Sequence, residues 1–231
     1  MSEKPPESRK RKRREASNAD KREALYARLE SFDREFDPSG DGLVAGIDEA
    51  GRGALAGPVV AAAVVLPRDS CLLGVNDSKL LPEDEREALF DHIVRKARAV
   101  GIAFSPPVTI DRNNILNATL MTMARAYLNL GQTPQLVLLD GRDSIDIPAR
   151  TVPVIGGDHT SLSIAAASIV AKVARDRVMR RLHKRYPAYN FLSNKGYGTR
   201  EHIDAIRAHG VSPQHRRSYR INAVEKTPSL F

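Results

Sequence analysis

Two strand-length runs of apolar and β-branched residues set the frame of the chain. Leu43-Val44-Ala45-Gly46-Ile47 and Pro58 to Leu66 show no polar alternation, the pattern of strands covered on both faces. A segment with glycine at 51, 53 and 57 joins them, and the first run stops at Asp48-Glu49. Downstream, 82–98 has helical periodicity and 99–104 reads as a strand. A further helix is predicted over 115–130, with Leu116, Leu120, Met123 and Tyr127 along one side. Gln135 to Asp140 is another apolar strand ending in an acid, and 151–155 a last one. Ser161 to His183 is a long helix whose Ala165, Ala166, Ala167 and Ala171 allow close packing on a sheet. One more helix is predicted over 199–209. Strands interspersed with helices argue an α/β domain, and 231 residues suffice for one such domain with a real core.

The formal charge of +8 favours a polyanionic partner, because neutralising phosphates releases condensed counterions. Much of the excess is local: Met1 to Arg14 hold seven basic side chains against two acidic ones. This run repels itself and buries nothing, so a disordered arm is expected to about Asn18, compatible with both a nucleic-acid tether and a solvated tail. Leu25, Leu29, Phe32 and Phe36 then recur at helical spacing before Asp37-Pro38-Ser39-Gly40-Asp41-Gly42 breaks the pattern. The resulting division is an arm, short amphipathic helix and linker over 1–42, a main domain over 43–220, and an irregular tail over 221–231. Cys71 alone excludes an intrachain disulfide and a thiolate zinc site. With no apolar stretch of signal-peptide or membrane-span length, a cytoplasmic protein is expected.

The acids carry the chemistry. Asp48-Glu49 and Asp140 stand at strand ends, and Asp158 follows Gly156-Gly157 just before the long helix. On an extended strand Asp48 and Glu49 would face opposite sides, so a common site calls for a bend at Ala50-Gly51. Carboxylates gathered in one place repel and raise one another's pKa unless hard cations neutralise them. Such a cluster therefore implies Mg²⁺ or Mn²⁺, and two such ions provide a route to phosphodiester hydrolysis without a nucleophilic side chain. Solvated or capping acids at strand ends are the alternative that spacing alone leaves open.

The stretch Gly46-Ile47-Asp48-Glu49-Ala50-Gly51-Arg52-Gly53-Ala54-Leu55-Ala56-Gly57-Pro58-Val59 closely resembles the signature of the type 2 ribonuclease H family, ribonuclease HII. The resemblance continues in order through Asn76-Asp77-Ser78-Lys79, Leu138-Leu139-Asp140-Gly141, Gly157-Asp158, Ser163 to Asp176, Asn194 to Thr199 with His202, and His215-Arg216-Arg217-Ser218-Tyr219. It implies a ribonuclease H-like fold, a mixed β-sheet flanked by helices with a small helical C-terminal part. It also implies a metal-dependent endonuclease that cuts the RNA strand of RNA/DNA hybrids and incises 5′ of ribonucleotides embedded in duplex DNA. By motif position the catalytic and metal-binding acids are Asp48, Glu49, Asp140 and Asp158. Gly51, Arg52 and Gly53 would set backbone groups against the ribose 2′-hydroxyl, the group that separates RNA from DNA. Tyr197 would stack on the neighbouring sugar, and Lys79, supported by Ser78, would contact a phosphate. The sibling type 3 enzymes lack this Gly-Arg-Gly and carry a larger N-terminal domain.

Lys172, Arg175 and Asp176 read as a salt-bridged exposed helix face, and His159, His202 and His215 as structural or phosphate-side residues. A ring at His159 departs from the small or lysine-rich surroundings of the family's fourth acid. A monomer is expected, and a sliding-clamp contact near the C-terminus is conceivable. Two other readings compete: a non-catalytic nucleic-acid-binding module of the same fold, and another nuclease of the superfamily that needs no 2′-hydroxyl sensor.

Overall fold

The computed structural model describes residues 7–38, 43–76, 78 and 81–219, with backbone alone for 7–18. Its centre is a five-stranded sheet of β1 (Val44–Ala50), β2 (Val59–Val65), β3 (Ala99–Ser105), β4 (Leu136–Asp140) and β5 (Arg150–Val154), in the order β3-β2-β1-β4-β5. The meander β1-β2-β3 is antiparallel, whereas β4 joins β1 and β5 joins β4 in parallel. The sheet is thus mixed, as the resemblance implied, and its strand bounds lie within about two residues of those read from the sequence.

Strand alternation divides the core into two layers. Ala45, Ile47, Ala61, Ala63 and Val65 face α3 (Pro107–Leu128), packing on Met123, Ala126 and Tyr127. Ala62 and Val64 face the opposite way, onto Ala165, Ala166, Ile169, Val170 and Val173 of α4 (Leu162–Arg185). The alanines bring that helix close. At Gly46 an added Cβ would overlap the backbone of Ser163 and Ile164, so only glycine allows β1 and the start of α4 to touch. Over the outer side of α4 lie α1 (Glu7–Phe36), through Leu29, and α2 (Glu83–Lys96), through Ile93. Glu83, Asp84 and Glu85 in the first turn of α2 and Arg95 and Lys96 in its last turn complement its dipole.

Two helices depart from their expected extents. A disordered arm was expected to about Asn18, but the backbone is helical from Glu7; Lys, Arg, Glu and Ala are strong helix formers, and no Gly or Pro interrupts 7–36. Likewise α3 starts at Pro107, not 115. Proline suits a first helical position, where its missing N–H costs nothing, and the segment from 115 is the second of two helical pieces joined at Asn114 (φ 61°).

Beyond α4, a small helical part comprises α5 (Phe191–Asn194) and α6 (Arg200–His209). Phe191, Tyr189, Met179, Ile206 and Ala56 form its core, which fastens it to the segment linking β1 and β2. Residues 221–231, where the irregular tail and the conceivable sliding-clamp contact were assigned, lie outside the described residues. No helix among the described residues is long and apolar enough to cross a membrane.

The glycine contact at β1 yields the first test. Gly46→Ala is expected to lower unfolding free energy by roughly 3 kcal/mol, the upper end for overpacking, because rigid backbone rather than a movable side chain stands in the way. Urea unfolding of wild type and variant measures it; a loss under about 0.5 kcal/mol would mean that β1 and α4 do not approach so closely.

Candidate metal centre

β1 and β4 run side by side only as far as Ile47 and Leu139. Past that point β1 continues against β2 alone, with Asp48 opposite Ala62 and Glu49 opposite Ala61. The chain beyond β4 turns away at Gly141 (φ 108°), leaving a notch at the sheet edge. Asp48 and Glu49 enter it from β1 and Asp140 from the end of β4, and each can offer an oxygen within 4.8 Å of the other two. The bend expected at Ala50-Gly51 is present at Gly51 (φ 95°), but strand pairing persists through Ala50. Convergence therefore arises at the vacant position beside β1, where the longer Glu49 side chain reaches in from the other face.

The three acids sit uneasily together. Burial drives the Asp48 carboxyl well above its ordinary range, and the charges of Glu49 and Asp140 add to the rise. Burial also raises Glu49; Arg52, at 3.4 Å, opposes that rise and Asp140 reinforces it. At an effective dielectric of about 20, two full charges 4.8 Å apart repel by about 3.5 kcal/mol. That exceeds the worth of a typical hydrogen bond, roughly 1 kcal/mol, so local bonds alone do not hold three anions here. A hard cation could, and three carboxylate oxygens suit Mg²⁺, Mn²⁺ or Ca²⁺.

Asp158 is buried in the one-turn 3-10 helix Gly157–His159 and is not among the three convergent acids. It is tied to them by backbone: Gly157 N donates to Asp140 Oδ1 at 2.8 Å. His159 Nε2 stands 3.9 Å from Asp158 Oδ1. Beneath Asp48 lies Ser168 of α4, whose hydroxyl helps to hold the carboxylate and also bonds the Ser78 hydroxyl at 3.0 Å. Ser78, assigned to substrate by position, thus points its buried side chain under the acids. Lys79 lies outside the described residues.

The loop after β1 forms a platform beside the notch. Arg216, almost wholly buried, donates from Nη2 to Gly51 O (2.6 Å), from Nη1 to Arg52 O (2.7 Å) and from Nε to Gly57 O (3.1 Å). The Tyr219 hydroxyl also donates to Arg52 O. Arg175 corrects the sequence reading: it and Asp176 are buried rather than exposed. Its guanidinium lies under Gly51 and Gly57, donates to Pro58 O and Ala56 O, and stacks 5.1 Å from the half-exposed Tyr197 ring. Lys172 does pair with Asp176, at 2.8 Å.

Two histidines support Tyr197 from behind. His202 Nδ1–H donates to Tyr197 O (2.9 Å), which leaves His202 Nε2 as an acceptor for His215 Nε2–H at 3.1 Å. His215 Nδ1 in turn accepts from Ser212 N. This order of protons requires both rings neutral, in keeping with burial that lowers His202 and, with the neighbouring ring, brings His215 down to about 4.

The sequence model described as Ribonuclease HII matches residues 45–222. The chain belongs to the ribonuclease HII family. It is 47% identical over 191 residues to the ribonuclease HII of Caldanaerobacter subterraneus subsp. tengcongensis, covering 83% of this chain and 79% of that one. With the ribonuclease HII of Syntrophus aciditrophicus it shares 46% over 207 residues, covering 88% and 98%. Among solved structures it is similar to the ribonuclease HII in the PCNA complex from Archaeoglobus fulgidus (TM-score 0.67, 28% identity, 78% of this chain and 96% of that one). The ribonuclease H2 of Pyrococcus horikoshii is similar too (TM-score 0.66, 27% identity, 80% and 96%). As a ribonuclease HII the chain is a metal-dependent endoribonuclease, a phosphodiester hydrolase, and its acid notch accords with that chemistry.

The strain among the acids has a signed pH dependence. A raised Asp48 pKa means that folded protein binds more protons than unfolded, so metal-free stability falls as pH rises from the ordinary aspartate range through the raised value. Asp48→Asn is expected to stabilise the metal-free protein at pH 7 by on the order of 1 kcal/mol, the usual gain when a strained functional site is relieved. This gain should vanish below about pH 4, where unfolded aspartate is also protonated. Thermal melts in chelator at both pH values test this; equal melting at pH 7 would mean that the acids do not strain one another.

Proposed function

We propose that this ribonuclease hydrolyses the RNA strand of RNA/DNA hybrids and incises on the 5′ side of ribonucleotides embedded in duplex DNA, leaving 3′-hydroxyl and 5′-phosphate ends. The observation that carries the reading is the convergence of Asp48, Glu49 and Asp140 in a notch beside the glycine-rich loop. Asp48, Glu49, Asp140 and Asp158 would hold two Mg²⁺ or Mn²⁺ ions. When bound, such ions supply a water acidic enough to attack at neutral pH and charge to stabilise the phosphate and leaving oxygen.

The protein's own groups do the positioning. Arg216 and Tyr219 occupy the carbonyls of Gly51 and Arg52 from within, fixing the loop, while a Cβ added at Gly53 would meet nothing within 4 Å. An uncovered glycine backbone admits a sugar edge closely enough to test for a 2′-hydroxyl, and DNA lacks that group. Arg52, exposed and paired with Glu49, links the ribose side to the acids. Tyr197, backed by Arg175 and fixed through its carbonyl by His202, offers a flat face to the adjoining sugar. Ser78 acts through Ser168 on Asp48, and Lys79 is assigned to a phosphate by its motif position. In the cell these steps would remove misincorporated ribonucleotides and RNA primers during replication and repair.

The test is cleavage of a labelled DNA duplex containing one ribonucleotide, beside an all-DNA duplex and an RNA/DNA hybrid, with Mg²⁺, Mn²⁺ or chelator. Wild type is expected to cut 5′ of the ribonucleotide only with metal and to spare the all-DNA duplex. Asp140→Asn is expected to lose about 10³-fold or more in rate, as for removal of a charge that stabilises the transition state. Gly53→Ala is expected to melt like wild type yet cut far more slowly, since its methyl has room in the free protein but stands where the ribose would approach. Tight duplex binding without incision would favour the non-catalytic module, and equal cutting of the all-DNA duplex another nuclease of the superfamily.

A further inference from the structure

The family match begins at residue 45, so α1 lies outside it, yet this helix reaches the surroundings of the fourth acid. Leu29, fully buried, anchors α1 on α4, and Phe32 and Phe36 pack with Leu138 and Ile164. From that anchored stretch two polar side chains extend to the turn bearing Asp158. Arg28 Nη2 donates to His159 O at 3.0 Å. Asp33 accepts from the Ser161 hydroxyl at 2.5 Å and from Ser163 N at 2.8 Å, so it caps the start of α4 jointly with Ser161, whose Oγ accepts from Ile164 N. On the inner side the same turn is held by the bond from Gly157 N to Asp140 Oδ1, and Ser161 N donates to Gly157 O. The residues around Asp158 are therefore gripped from two directions, by an acid of the notch and by α1.

We propose that α1 is a positioning element for the metal centre: Arg28 and Asp33 fix the Gly157–Ser161 turn so that Asp158 faces the notch formed by Asp48, Glu49 and Asp140. The proposal rests on the reading of Asp158 as a metal ligand. Arg28 acts through the His159 carbonyl, and Asp33 through the Ser161 hydroxyl at the end of the turn and the Ser163 N–H in the first turn of α4. Loss of a partner bonded directly to a metal ligand typically weakens metal binding by about 10–100-fold; Asp33 stands one step further back, bonded to Ser161 and Ser163, so the lower end of that range is expected. Asp33 is buried enough that its carboxyl titrates above the ordinary range, which its bonds to Ser161 and Ser163 only partly offset.

The experiment uses the full chain and compares wild type with Arg28→Ala, Asp33→Asn, Asp48→Asn and, as a control on the same helix, Arg22→Ala, which breaks only the exposed ion pair to Glu85. Free Mn²⁺ is followed by electron paramagnetic resonance during titration of the protein with the metal alone, and kcat and KM are measured on the single-ribonucleotide duplex. Arg28→Ala and Asp33→Asn are expected to weaken Mn²⁺ binding by roughly tenfold and to lower kcat with KM unchanged, while Arg22→Ala matches wild type. Unchanged Mn²⁺ affinity and kcat in both variants, even with a lower melting temperature, would overturn the proposal and leave α1 a packing helix. Arg28 is exposed, so its variant remains informative if Asp33→Asn folds poorly. Asp48→Asn separates the two readings: Mn²⁺ binding indifferent to Asp48 would defeat the metal centre itself, whereas binding that needs Asp48 but ignores Arg28 and Asp33 defeats only the role of α1.

Discussion

The close contact between β1 and α4 is the constraint on which the rest of the structure depends. It begins where Gly46 lies against the first turn of the helix and continues along its length. Ser168 reaches Asp48, Arg175 fills the space under Gly51 and Gly57, and Met179 closes against Gly57 and Gly196. One helix thus supports an acid, the glycine loop and Tyr197 in succession. A helix held further off by larger side chains would reach none of them, and Ala165, Ala166, Ala167 and Ala171 let it come close.

Electrostatics works in the opposite sense at the notch. The same burial that orders Asp48 and Glu49 makes their charges costly, and the cost is tolerated because packing elsewhere is extensive. Removing a charge would steady the empty protein and weaken its hold on cations. With Asp48 and Glu49 as metal ligands, as proposed, stability and affinity would be opposed at these positions.

Much of this was legible in the residues. The strands announced themselves by apolar runs, and the acids by standing where those runs stop. What could not be read was anything set by the partner of a side chain. Arg175 has the same local pattern as an exposed ion-pairing residue; only the passage of Gly51 and Gly57 over the helix shows it to be buried. Ser168 carries no mark that it bonds Asp48, and His202 and His215, 13 positions apart, meet only once the C-terminal part folds back. The helix expected from 115 begins at Pro107, because its first piece ends in a kink at Asn114 and does not share the apolar periodicity of the second. The basic run suggested disorder because repulsion was weighed above helix propensity. For the four acids, spacing left the solvated alternative open; the structure draws Asp48, Glu49 and Asp140 together, and the place of Asp158 beside them rests on the family resemblance.

Strand order also bears on when the centre can exist. β1, β2 and β3 are consecutive and antiparallel, so they can pair through short-range contacts as soon as they are made. β4 comes to lie beside β1 only after α3 has crossed over, and its acid is separated from Asp48 by some ninety residues of chain. During synthesis the N-terminal meander therefore has an open edge along β1, and α4, which covers one face, is completed later still. Until that edge is filled the chain has two of its three clustered acids and no notch between them, so the cluster cannot assemble until more than half of the length is made.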